Sequence, residues 1–144
     1  MEQLEQPEAE LWDSRRHWFE NRQEDYARAG SVAVSEQSAA LTLDLQACFC
    51  AGAWAAVVVL AAIIVESQAE ASKLRRGAPA DDLRWLRALR NRLVHEDRGA
   101  PALTIEDQWT GRADWEKNAR RAVLIVFKVM YARPDRELGG EARG

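Results

Sequence analysis

Nineteen consecutive residues, Ala47 to Val65 (ACFCAGAWAAVVVLAAIIV), carry no charge, and no other feature limits the fold of this chain as strongly. The run reaches the length needed to span a bilayer. Its composition argues for another fate. It is rich in alanine and glycine, which contribute little to insertion; no Lys or Arg stands close on its N-terminal side, and the nearest acids are Asp44 and Glu66. A helix that is apolar all round also suits the centre of a bundle or a dimer. The sequence therefore predicts one long buried helix, from about residue 38 or 42 to Leu74, in a protein that does not enter the membrane.

The remaining elements are arranged around that helix. A first helix is expected from about Pro7 to Ala29, with Glu8 and Glu10 complementing its N-terminus and Gly30 ending it. Residues 31–38 read as a loop. A third helix opens with Asp81 or Asp82 as cap and carries Leu83, Leu86, Leu89 and Leu93 at spacings of three to four. It ends near His95, because Gly99 and Pro101 follow. Residues 96–113 are expected to be irregular, with a short extended segment over Leu103 to Trp109. The fourth helix starts at Asp114 and runs to about Ala132, before Pro134. Its apolar face is Trp115, Ala119, Ala122, Val123, Val126, Phe127 and Met130. The sum is an all-α fold: a four-helix bundle with a long loop between its last two helices, a helical extension over 1–35 and a flexible tail over 134–144.

With 144 residues, 47% hydrophobic and 30% charged, the chain has the composition of one globular domain. Its net charge of −3 excludes a general nucleic-acid coat protein, yet the charge is uneven. Between Lys73 and Arg98 eight basic residues face four acids, a local positive field able to hold a phosphate; the alternative is a solvated helix face balanced by the acidic N-terminus. Cys48 and Cys50 are the two cysteines and His17 and His95 the two histidines, so no set with structural-zinc spacing exists and no metal or cofactor is expected. Both cysteines read as core residues of a reduced, cytoplasmic protein, consistent with acids where a signal peptide would be positive. His17, amid Asp13, Glu20, Glu24 and Asp25, reads as a surface position. The six tryptophans read as core and interface anchors, with Trp85 exposed among Arg84, Arg87 and Arg92 as the exception.

The chemistry concentrates at the end of the third helix, in Arg90-Asn91-Arg92-Leu93-Val94-His95. Asn91 and His95 are four apart and share a helix face, and Arg90 is the adjacent position with a side chain long enough to swing toward it. The helix C-terminus favours imidazolium at His95, while Arg90, Arg92 and Arg98 oppose it. A titratable imidazole, a fixed cation and an amide near one point can grip a phosphodiester and move a proton. The plainer alternative is a histidine that only caps or packs.

Arg90-Asn91 followed by His95 resembles the Arg-x4-6-His signature of the HEPN superfamily, in which Asn commonly follows the Arg. The preceding alanine-rich run from Cys48 to Ala56, leading to the acid Glu66, is similar to that superfamily's second helix, and the helix from Trp115 to Tyr131 resembles the last helix of its smaller bacterial members. The resemblance covers roughly residues 40 to 132 and leaves the first 35 unmatched. It implies a helical bundle that dimerises with two Arg/His motifs facing a shared cleft. The implied activity is that of a metal-independent endoribonuclease, in many members a toxin or defence effector. Other members are non-catalytic modules that bind a nucleotide, RNA or a partner protein, an antitoxin among the partners of the toxins. Carried onto this chain, His95 is the proton-transfer group, Arg90 the stabiliser of phosphorus-bound oxygens and Asn91 an orienting residue. Arg92 and Arg98 support them, and Glu66 is expected to hold Arg90 across the helix pair.

Overall fold

In the computed structural model of the protein the described residues are 4–30, 34–72 and 78–131. Among them the fold is all-α, with six helices: α1 (Ala9–Ala29), α2 (Glu36–Ala51), α3 (Trp54–Ser72), α4 (Ala80–Val94), α5 (Ile105–Trp109) and α6 (Arg112–Met130). No helix of the described residues is long and apolar enough to cross a membrane. Leu74 and the tail from Asp135 lie outside the described residues.

The apolar run is not one helix. Gly52, at φ +78°, ends α2, and Ala53 separates it from α3. The Gly52 amide donates to the Phe49 carbonyl at 3.1 Å and the Ala53 amide to the Cys48 carbonyl at 2.9 Å, the paired bonds of a Schellman motif. A left-handed backbone is cheap only for glycine, so this residue sets the position of the break. The two helices then return along one another: residues 50–53 make the turn, while the Ser35 amide donates to the Gln68 Oε1 at 3.2 Å at the far end.

α3 lies at the centre, packed most extensively against α6, then against α2 and α4. Its Val57, Val58, Ala61 and Ile64 are fully buried. α6 supplies the facing surface, and all seven positions assigned to its apolar face are buried, joined by Ile125 and Val129. α1 closes one side through Phe19, whose ring meets Phe127 edge-on at 5.1 Å and Phe49 at 6.0 Å.

Three boundaries differ from expectation. α4 begins at Ala80 after Pro79, so Asp81 and Asp82 occupy its first turn rather than its cap. α6 begins at Arg112, two residues before the expected Asp114 cap. The segment expected to be extended over Leu103 to Trp109 contains α5. Thr104 and Asp107 form a reciprocal capping box there, and two N-terminal amides gain acceptors that an extended strand would not supply.

Asp82 joins α4 to α6, accepting from Arg121 at 3.0 Å and Lys128 at 3.4 Å. The bond from Arg121, with help from Lys128, holds its carboxyl below the ordinary value of 3.8 despite opposing desolvation. This link is therefore complete above pH 3.8 and is lost as pH falls through the depressed folded value. Asp82→Asn should lower stability near neutral pH by about 1 kcal/mol or less, because both cations are part-exposed and screened. Urea unfolding at pH 7 and at a series of pH values below 3.8 checks this, and the parent–variant difference should shrink as the pH falls.

Candidate functional site

The up-and-down path of the helices brings the chemistry to one end of the bundle. α3 runs away from Gly52 and α4 returns, which places Val94 and His95 at the Gly52 end. α6 starts there too, as the bond from Arg112 to the Gly52 carbonyl shows.

Leu86 is buried and Leu83, Leu89 and Leu93 pack against the core, which fixes the rotation of α4. Asn91 is then exposed and Arg90 half-buried. His95 ends the helix with extended backbone; its amide donates to the Asn91 carbonyl at 2.8 Å and its ring is exposed. Arg90 donates from Nη1 to Asn91 Oδ1 at 3.0 Å, while its Nε is buried and has no hydrogen-bond partner. Arg90 and Asn91 are thus joined directly, and His95 follows one helical turn later. Arg92 and Arg98 are exposed. Glu66 is exposed, and among the described residues it forms no ion pair with Arg90; the acid expected to hold that guanidinium does not do so, and Asn91 is its partner instead.

From His95 the chain turns through Asp97, whose carboxylate accepts from the Gly99 amide at 3.0 Å, and reaches α5 at Thr104. Val94, Ile105 and Trp109 are large apolar residues left 48%, 74% and 52% exposed on this part of the molecule.

The other sequence candidates divide cleanly. His17 is exposed beside Arg16, as a surface position should be. Cys50 is buried and Cys48 partly so, both free, and desolvation raises the pKa of each thiol. Among the described residues no cluster of His, Cys, Asp and Glu is able to hold a metal ion. Trp85 is not an open platform: it is part-buried, and the Arg121 guanidinium lies 4.1 Å from its ring centroid.

A second cationic group escapes a reading of the sequence. Arg15 of α1 donates from Nη1 to the Cys50 carbonyl at 3.1 Å, and Arg112 of α6 from Nη2 to the Gly52 carbonyl at 2.7 Å. Both guanidiniums lie over the Trp54 ring, at 4.8 and 5.8 Å from its centroid. Arg120 lies over Trp18 at 4.6 Å and pairs with Glu116. Burial lowers the pKa of Arg15, with Glu116 opposing and Arg112 and Arg120 adding to the shift. The only local signal for this group was Gly52 itself, since its members are separated by 35 and 60 positions from the carbonyls they cap.

No protein-family model matches the chain, and comparison with curated proteins and with solved structures finds no match.

The capping box of Thr104 and Asp107 anchors the loop that leads away from His95. Thr104→Ala should cost about 1 kcal/mol locally. Hydrogen exchange should show faster exchange at the α5 amides and unchanged protection in α3 and α6; equal protection throughout would mean that the cap does not hold the loop.

Proposed function

We propose that the protein is a HEPN-type, metal-independent endoribonuclease whose working site is completed by a second copy of the chain. The observation that carries this reading is the arrangement at the end of α4: an exposed imidazole, an exposed amide and a guanidinium bonded to that amide, within one turn of a helix pinned to the core. The all-α bundle, with its buried alanine-rich helix preceding the motif helix, accords with the same reading.

The chemistry follows from the groups present. His95 takes the proton of an RNA 2′-hydroxyl, whose oxygen attacks the adjacent phosphorus. The bond to the 5′-oxygen breaks, and that oxygen leaves with a proton. The products are a 2′,3′-cyclic phosphate and a 5′-hydroxyl. Charge builds on the non-bridging oxygens, where Arg90 stabilises it, and Asn91 keeps Arg90 aimed. One chain supplies a single nearby imidazole, while the reaction needs a base and an acid; His95 of the partner subunit meets that need. The exposed Val94, next to His95 in the chain, with Ile105 and Trp109 of α5, offers apolar surface for such a pairing. On this reading the protein acts in the cytoplasm on RNA, as a toxin or defence effector countered by an antitoxin protein.

A second reading, a non-catalytic module that binds a nucleotide, RNA or a partner protein through the same residues, draws on the tether between Arg90 and Asn91. A guanidinium held by its neighbour can grip a phosphate in the ground state as well, with no proton transfer by His95 required.

The test is RNA cleavage by the parent in the presence of EDTA, with His95→Ala and Arg90→Ala beside it. Each substitution should lower the rate by about 100-fold or more, with cyclic-phosphate ends on the parent's products. A parent that leaves RNA intact but binds it, with binding lost in both variants, would establish the second reading. Variants that cut as well as the parent would refute the first.

A further inference from the structure

Arg15 and Arg112 reach the same point from opposite helices. A Cβ placed on Gly52 would lie 3.0 Å from Arg15 Nη1 and 3.2 Å from Arg112 Nη2, so the two nitrogens are no more than about 6 Å apart. Six other arginines, Arg16, Arg22, Arg28, Arg84, Arg120 and Arg121, each pair with Asp or Glu, while Arg87, Arg90, Arg92 and Arg98 stand singly along α4 and the loop after it. Arg15 and Arg112 form no ion pair among the described residues, although they are held close to one another. Glu116, the acid whose charge acts most on Arg15, is bonded to Arg120.

What the pair does have is the carbonyl end of α2, a partial negative charge that one N–H from each guanidinium meets. Arg112 gives one more to Gln108 Oε1 at 2.8 Å. A guanidinium has five N–H donors, so most remain, including the Arg15 Nε–H, which is buried and without a partner. Neither side chain is fully buried, which leaves the pair reachable from solvent. Both guanidiniums lie over the Trp54 ring, which with the two carbonyls limits where they can swing. Two planar forks, oriented, under-neutralised and with donors to spare, match a tetrahedral oxyanion.

We propose that Arg15 and Arg112 form an oxyanion site at the α2–α3 turn, taking phosphate or a phosphate monoester. The site is separate from Arg90 and His95, although both stand at the same end of the bundle, and it does not depend on ribonuclease activity. Gly52 is part of its construction: its φ of +78° strains any other residue, and a Cβ there would crowd both guanidiniums, which would have to give by a few tenths of an ångström.

The test is thermal unfolding in inorganic phosphate against chloride at equal ionic strength. The parent should gain about 2–4 °C at ~20 mM phosphate. Arg15→Gln and Arg112→Gln should lose most of that gain, whatever their own melting temperature, while Arg121→Gln and His95→Ala keep it. No gain in the parent, or full gain in Arg112→Gln, overturns the proposal; loss in His95→Ala would move the phosphate to the other site and overturn it equally. Should the glutamine variants not fold, the parent alone suffices: phosphate should protect Arg15 and Arg112 from phenylglyoxal, read by peptide mass spectrometry, and undiminished modification refutes the site. Adenosine monophosphate in place of phosphate distinguishes the source, an equal gain indicating the free anion and a larger one the ester.

Discussion

The fold depends on covering α3. From Trp54 to Val65 this helix has no charged residue on any side, so one neighbour cannot shield it. α6 takes the largest share, with a face of alanine, branched and aromatic residues, and α2 and α4 take the flanks. Each burial has a consequence elsewhere. Seating Leu86 and Leu93 on the core fixes the rotation of α4, and that rotation leaves Asn91 outward and Arg90 half-covered. The position of the candidate site is therefore a product of core packing and does not need contacts of its own to hold it.

Periodicity made α1, α4 and α6 legible to within two residues at most of their boundaries, because each alternates apolar and polar positions at helical spacing. It failed where that signal was absent. Across Ala47 to Val65 every residue is apolar, so a break in the helix leaves the pattern unchanged, and the one informative residue, Gly52, resembles the alanines around it in a hydropathy reading. The α5 segment failed differently. Its five residues are too few to show a period, and its helix rests on a Thr104–Asp107 cap rather than on an apolar face.

The candidate site divides along the same line. Arg90, Asn91 and His95 are local in sequence, so their common place at the end of one helix was legible from spacing; the bond between Arg90 and Asn91 was not. The link between Glu66 and Arg90 required two helices to be set in register, and burial decided otherwise: Glu66 faces solvent where α3 leaves the core, and the guanidinium bonds its own neighbour. Arg15 and Arg112 were invisible for the opposite reason. Each looks like an ordinary charged position on its own helix, and only the turn at Gly52 brings them together.

The net charge of −3 does not describe the surroundings of each cation. Many acids are engaged along helix surfaces in pairs three or four residues apart, as in Asp13 and Glu20 with Arg16, and Glu24 with Arg28. Such pairs neutralise cations that point to solvent along the shafts of the helices, and contribute little to stability. A cation whose position is set by a carbonyl or by an amide is different. Arg15 and Arg112 are held by the end of α2, and Arg90 by Asn91, so each keeps its full charge for whatever approaches. Neutral partners that orient a guanidinium without an opposing charge occur at the end of the bundle where His95 is exposed, so the total charge is a poor guide to how those three cations meet an approaching group.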